Sequence, residues 1–437
     1  MLKAFYKDSI FYGLFLFLGK FFTILSLPVI TYFFPPKDFA LADSYIVFIN
    51  FIIPIVFLGL DSSVGRFYYE QKNKKKLILS TFLPGLFCSL IITCFLLFFS
   101  EMINSIYINQ ENSENFLPLV LLNIIPMYII LFTANAMKYA FKRWSFVFLS
   151  ILNPILFSLS LIAMGYFFNS LDLKIYFLTF LFYNIVFSFY ALYLIKDNFK
   201  LLNFDKSLLK DMYDYGIPFF FVSFISLGII FSERYLLNNY FPVVIAGLYM
   251  FSYRIVNILT IFSRVLQVSW GPFAISNYKN ENASKEYNKL LLFMTIFLNS
   301  LSCIVILFDK NIVNILANDN YHDSVQFLPF LLGANTFLIL SSISNIGINI
   351  TKKTTVHLKN YIFSFIIFIS LFFLLKDQFL ILSIAFSLFV SRMFLFIFQT
   401  LSSNKLYEKI NFNLFIPLII TCLTSFSLFI TKYKFTI

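Results

Sequence analysis

Lys20, Arg254 and Arg392 each stand near the middle of a long apolar run, and a charge in such a place needs water, a partner or a task. The cost of leaving one bare in hydrocarbon ranges from roughly 3 to more than 10 kcal/mol. A water-filled cavity lined by these cations would attract an anion. Arginine offers a planar fork that matches phosphate oxygens, and lysine a compact charge for the same purpose. Arg234 and Arg264 lie closer to the ends of their runs, where a snorkelling stem reaching the interface is the simpler explanation. Arg66, with Lys72, Lys74, Lys75 and Lys76 after it, forms the densest basic block. It reads as an orientation anchor or as a contact for an anionic headgroup or substrate.

Carboxylates inside the runs are few. Ion coupling needs a group that changes charge or ligates a cation, and the candidates are Asp43, Asp61 and Glu233. Structural scaffolding is the competing role for each. Asp61 and Arg66 are five residues apart and could neutralise one another at the end of a helix that loosens there. Glu233 and Arg234 are adjacent, so they point in different directions around a helix and each is expected to pair with another helix. His322 falls in an expected outer loop and His357 in an inner one, which disfavours a histidine proton relay. Cys88, Cys94, Cys303 and Cys422 lack the paired spacing of a metal site, and no metal or cofactor is expected.

These residues are carried by thirteen apolar segments, at approximately 9–33, 39–65, 77–100, 117–137, 144–167, 174–195, 216–236, 242–266, 290–308, 326–350, 360–375, 379–400 and 412–430. About 20 helical residues cross the roughly 30 Å of lipid hydrocarbon. The chain is therefore expected to be an all-α polytopic membrane protein. A composition of 60% hydrophobic against 12% charged residues, with 64 phenylalanines in 437, sets aside a soluble domain. The net charge of +12 has its explanation in membrane orientation rather than in nucleic acid. With a cytoplasmic N-terminus, the inner breaks and that terminus hold 22 Lys and Arg, against six in the outer breaks. That bias predicts an N-in topology in the cell's inner membrane.

The first segment does not read as a cleaved signal peptide, since it is long, contains Lys20 and ends in Phe34-Pro35-Pro36. No loop exceeds roughly 25 residues, too few for a nucleotide-binding cassette, so any work is expected to be driven by a gradient or by the substrate. Pro28, Pro54, Pro84, Pro126, Pro154 and Pro218 lie in or near spans, as suits either packing or helices that bend between two openings. The stretch from Phe34 to Tyr45 is faintly echoed from Tyr240 to Phe251, six spans later. The offset suggests two similar six-helix bundles, expected at 1–200 and 201–400, with an extra segment at 401–437.

The motif Gly59-Leu60-Asp61, followed by Arg66-Phe67-Tyr68-Tyr69-Glu70, resembles the end of the second helix in the bacterial polysaccharide transporters. These are flippases of undecaprenyl-pyrophosphate-linked oligosaccharides. The second half is similar to them again, in Tyr215-Gly216-Ile217-Pro218, Glu233-Arg234-Tyr235-Leu236, Ala246-Gly247-Leu248-Tyr249 and Gln267-Val268-Ser269-Trp270-Gly271-Pro272-Phe273. The resemblance implies the fold of the multidrug/oligosaccharidyl-lipid/polysaccharide exporters, two six-helix bundles related by a two-fold axis around a central cavity. It also implies transfer of a lipid-linked repeat unit from the cytoplasmic to the periplasmic leaflet, for O-antigen (lipopolysaccharide) or capsule synthesis, and no enzymatic activity. On this reading Lys20, Arg66, Arg254 and Arg392 meet the pyrophosphate, while Asp61, Glu233 and Arg234 serve ion coupling or scaffolding. The polysaccharide polymerase and chain-length regulator are further candidate partners. Two departures stand out: Glu233 replaces the usual aspartate, and thirteen spans replace twelve or fourteen. A multidrug or small-molecule exporter of the same fold would call for acidic rather than basic residues at mid-depth. A membrane-embedded glycosyltransferase or polymerase would call for a long, charged outer loop, whereas 101–116 and 309–325 hold three acidic residues each.

Overall fold

The computed structural model describes residues 18–19, 21–109, 114–168, 171–199, 204–260, 270–271, 273–351 and 353–433. Lys20, Arg264 and, of the last family motif, residues 267–269 and 272 lie outside the described residues. Among the described residues every regular element is helical, and ten helices are long and apolar enough to cross a membrane. Three shorter apolar helices, Phe21–Phe33, Val243–Val256 and Phe415–Thr431, fall in the first, eighth and last of the thirteen expected segments. The chain is an all-α polytopic membrane protein.

Two compact units divide it, one of residues Phe15–Pro242 and one containing Val243–Ile437. In the first, α1 (Leu27–Phe33) leads through Pro35 and Pro36 into α2 (Pro36–Phe57). Proline at the start of a helix removes only an N–H that has no intrahelical acceptor there. The second expected segment is not one helix: Leu58 (φ 47°) and Gly59 (φ 81°) are left-handed and end α2 one turn after Pro54, and α3 (Leu60–Glu70) restarts at an angle set by that break. The unit continues with α4 (Lys74–Phe98), α5 (Ile124–Tyr139), α6 (Arg143–Phe167), α7 (Leu173–Ile195) and α8 (Lys206–Tyr240). Polar residues at the breaks fix the helix starts: Asn73 accepts from Lys76 N–H at 3.1 Å and Asp172 from Ile175 N–H at 2.7 Å.

The first unit extends through α8, which packs on α2, α3 and α4. Gly59 and Gly216 meet backbone to backbone, so that a Cβ on either would overlap the other's main chain. Ser63 Oγ closes the same junction by donating to the Met212 carbonyl at 2.6 Å. A ladder of amides, Asn153 to Asn184 (3.0 Å) and Asn184 to Asn123 (2.8 Å), ties α6 and α7 to the turn before α5. Hydrogen bonds of this kind hold helices together where the surrounding lipid is as apolar as the helices themselves.

The second unit contains α9 (Val243–Val256), α10 (Ala283–Leu307), α11 (Leu328–Ser344), α12 (Thr354–Phe379), α13 (Leu382–Leu406) and α14 (Phe415–Tyr433). The buried helix α11 is the axis, contacted by α9, α10, α13 and α14. Its neighbours are joined by small polar residues: Ser364 and Ser391 exchange hydrogen bonds between α12 and α13, and Asn299 of α10 bonds Thr421 and Thr424 of α14. Trp270, from the last family motif, donates Nε1–H to the Ile343 carbonyl at 3.2 Å and packs edge-on against Tyr287. Outward faces of both units carry bare aromatics and leucines such as Phe98, Phe182 and Leu374, a surface suited to lipid.

Candidate functional site

The sequence-predicted charges fall into three groups. The first lies at the C-terminal end of α3. Arg66 does not pair with Asp61. On a regular helix, residues five apart diverge by about 140°, whereas four apart they share a face, and the Arg66 Nε lies 3.6 Å from Glu70 Oε1. Its guanidinium also sits 4.6 Å from the centre of the Tyr215 ring. Lys74 rests 4.3 Å from the Tyr68 ring, and Lys76 Nζ is 2.8 Å from Asp205 Oδ2. The Lys76 hydrogen bond, with those from Leu208 N–H and the Ser207 hydroxyl, holds the Asp205 carboxyl below the usual carboxylate range. Lys72 and Lys75 stay exposed. The basic block is thus a surface of cations over tyrosines, partly tied to the start of α8.

Asp61 has a different setting from the one expected. Among the described residues its carboxylate has no ion-pair partner, and it borders a cavity of about 280 Å³ lined by Ile53, Pro54, Phe57, Leu131, Phe220 and Leu227, with Asn135 and Ser223 as the other polar side chains. The cavity lies beside the break that Pro54 and the left-handed Leu58–Gly59 pair make between α2 and α3. Asn135, Ser223 and the cavity itself were not foreseen. Nothing in their sequence spacing ties them to Asp61.

The second group is buried. Arg234 Nε donates to Asp43 Oδ2 at 2.9 Å, joining α8 to α2, and its Nη1 lies 3.2 Å from Glu233 Oε2. Adjacent residues therefore do face one another here, against the expectation that each pairs only with a separate helix. The long arginine stem folds back along α8 and places one guanidinium between both carboxylates, all three side chains 5% exposed or less. Asn238, one turn on, donates to Ser44 Oγ and to the Tyr107 carbonyl.

The third group lies in the second unit. Arg254 is half-buried on α9. Arg392, on α13, is 3% exposed and borders a small cavity with Tyr253, Asn257 and Asn335, the rest of the lining being apolar. His357, expected in a loop, is in the first turn of α12, with its ring nitrogens 3.0 Å from Gln399 Oε1 and 2.9 Å from Asn349 Oδ1. Among the described residues no three His, Cys, Asp or Glu side chains are grouped as a metal site would need.

Residues 29–326, more than half of the chain, match the family described as "Polysaccharide biosynthesis protein". The chain belongs to this family. Several solved structures share its fold. One titled "Lipid II flippase MurJ, inward closed conformation" aligns with a TM-score of 0.69 at 14% identity, covering 99% of both chains. A multidrug resistance MATE transporter of the MOP superfamily in its inward-facing conformation aligns with a TM-score of 0.67 at 13% identity, over 89% of this chain and 96% of that one. The MATE multidrug transporter DinF-BH, solved as a complex, aligns with a TM-score of 0.66 at 14% identity, over 92% and 95%. At these identities the likeness is one of fold: this member of the polysaccharide biosynthesis family has the fold of the MOP-superfamily transporters. A comparison with curated proteins gave no match.

Proposed function

We propose that this family member translocates a polyprenyl-pyrophosphate-linked oligosaccharide from the cytoplasmic to the periplasmic leaflet of the bacterial inner membrane. Two six-helix bundles would alternate their openings, with the N-terminus in the cytoplasm. The substrate would be a repeat unit of O-antigen or capsule, passed on to a polymerase and chain-length regulator. The observation that carries this reading is the family match over residues 29–326. The cations gathered over Tyr68, Tyr69 and Tyr215 support it, since a pyrophosphate headgroup arriving at the inner leaflet would meet them first. Arg66 collects the headgroup, and Lys20 and Arg254 receive it at mid-depth. The cavity beside Arg392 is too small for it. The Asp43–Arg234–Glu233 cluster acts as a joint between α2 and α8.

Export of a small amphiphilic cation by the same fold is the second reading, and the solved structures back it more strongly than the first. Two of the three described above are multidrug transporters. Asp61 also supplies the carboxylate that a cationic substrate needs, at a cavity of otherwise largely apolar lining. In a strain lacking the chain, complementation separates the two. On the first reading Arg66→Ala or Arg254→Ala abolishes surface polysaccharide while the protein still inserts, and Asp61→Asn leaves tolerance to cationic drugs unchanged. Intact polysaccharide in the arginine variants, with drug tolerance lost in Asp61→Asn, establishes the second.

A further inference from the structure

Arg392 is a permanent cation, since its guanidinium keeps its proton throughout the physiological range. It is 3% exposed and, among the described residues, makes no hydrogen bond and has no carboxylate within 4.0 Å. Its Nη1 is completely enclosed without an acceptor. A buried charge in that state is strongly unfavourable unless something neutralises it. The described residues do not supply the counter-ion, which points to one from solution. Around the cavity that Arg392 borders, the polar side chains are Tyr253, Asn257 and Asn335, a hydroxyl and two amides, and none is negatively charged. Asn335 is already held in place by its bond to the Val256 carbonyl at 3.0 Å. Donors without carboxylates suit an anion.

Size selects among anions. The cavity measures about 10 Å³, room for about one water-sized particle. A halide ion is close to that size, whereas a phosphate group with its four oxygens is several times larger. We infer that Arg392 holds a single halide ion, chloride in the cell, as a fixed counter-ion between α9, α11 and α13. The inference does not depend on what the protein transports.

The purified full chain in detergent is melted in sodium gluconate, chloride, bromide, sulfate and phosphate at matched ionic strength. Chloride and bromide should raise the melting temperature by about 5 °C, as expected for a site well above half-saturation. Sulfate and phosphate should give no such rise, and Arg392→Met should lose the halide response. A native protein indifferent to halide, an equal rise in Arg392→Met, or phosphate acting as well as chloride overturns the assignment. If Arg392→Met does not fold, crystals of the native protein soaked in bromide decide: an anomalous peak within hydrogen-bonding reach of the Arg392 guanidinium is expected, and water density without one refutes the site.

Discussion

Replacing Arg234 by Met removes one guanidinium from between two carboxylates while keeping most of the apolar stem. The structure sets the size of the effect. The Nε bond to Asp43 is 2.9 Å, the Nη1 contact to Glu233 is 3.2 Å, and the side chains are 0–5% exposed, so little water screens them. Breaking a buried pair by deleting one partner costs on the order of 3–5 kcal/mol, mostly through the charges left behind. At about 2–4 °C per kcal/mol for a unit of this size, the melting temperature should fall by on the order of 10 °C. Asp43→Asn should cost less, because the Glu233 contact survives. The exposed Arg66–Glu70 pair, with side chains 54% and 55% exposed, provides the contrast: Glu70→Gln should change stability by less than about 1 kcal/mol. Unfolding can be followed with a thiol-reactive dye in a background where the exposed Cys94 is replaced by Ser, since Cys88, Cys303 and Cys422 are only partly exposed in the folded protein. If Arg234→Met melts within a degree or two of Glu70→Gln, the buried cluster does not join α2 to α8 as described.

Gly59→Ala should destabilise by more than the roughly 1–2 kcal/mol of a left-handed alanine, because its Cβ would also strike the Gly216 main chain; Gly271→Ala, where a Cβ meets nothing within 4 Å, should be nearly neutral in the same melting assay. Asp205 has its carboxyl held low by Lys76, so its charge contributes stability that is full above the unfolded-chain value near 4 and is lost as pH falls through the lower folded value. Asp205→Asn, which keeps the helix cap, should therefore melt below the native protein at pH 7, and the gap should hold down to about pH 4 and only begin to narrow below it. In a cysteine-free background, an impermeant thiol reagent applied to intact cells should label Glu114→Cys and spare Asn73→Cys; the reverse would invert the proposed orientation.

The helical class and the ten long apolar helices among the described residues were legible because crossing lipid leaves so few backbone options that length and composition suffice. The break at Leu58–Gly59 was not, since Pro54 and Gly59 are each tolerated inside membrane helices, and the close approach of Gly216 that accompanies the turn is a tertiary contact. The buried cluster was half visible: Glu233 and Arg234 stood out as charges in an apolar run, but Asp43 is 191 residues from Arg234 and nothing local links them. Asp61 was recognised as unusual, yet its partner was misassigned because helical spacing favours Glu70 over Asp61 for Arg66. The lack of a carboxylate beside Arg392 among the described residues is a tertiary fact that spacing cannot carry.

The proposed substrate is tested most directly by the lipid-linked intermediates of a strain lacking this chain. With the protein absent, a polyprenyl-pyrophosphate oligosaccharide should accumulate in the cytoplasmic leaflet, protected in spheroplasts from an externally added glycosidase, and restoring the chain should expose it. Unchanged lipid-linked pools, together with heightened sensitivity to cationic drugs, would contradict the account and make the protein a small-molecule exporter.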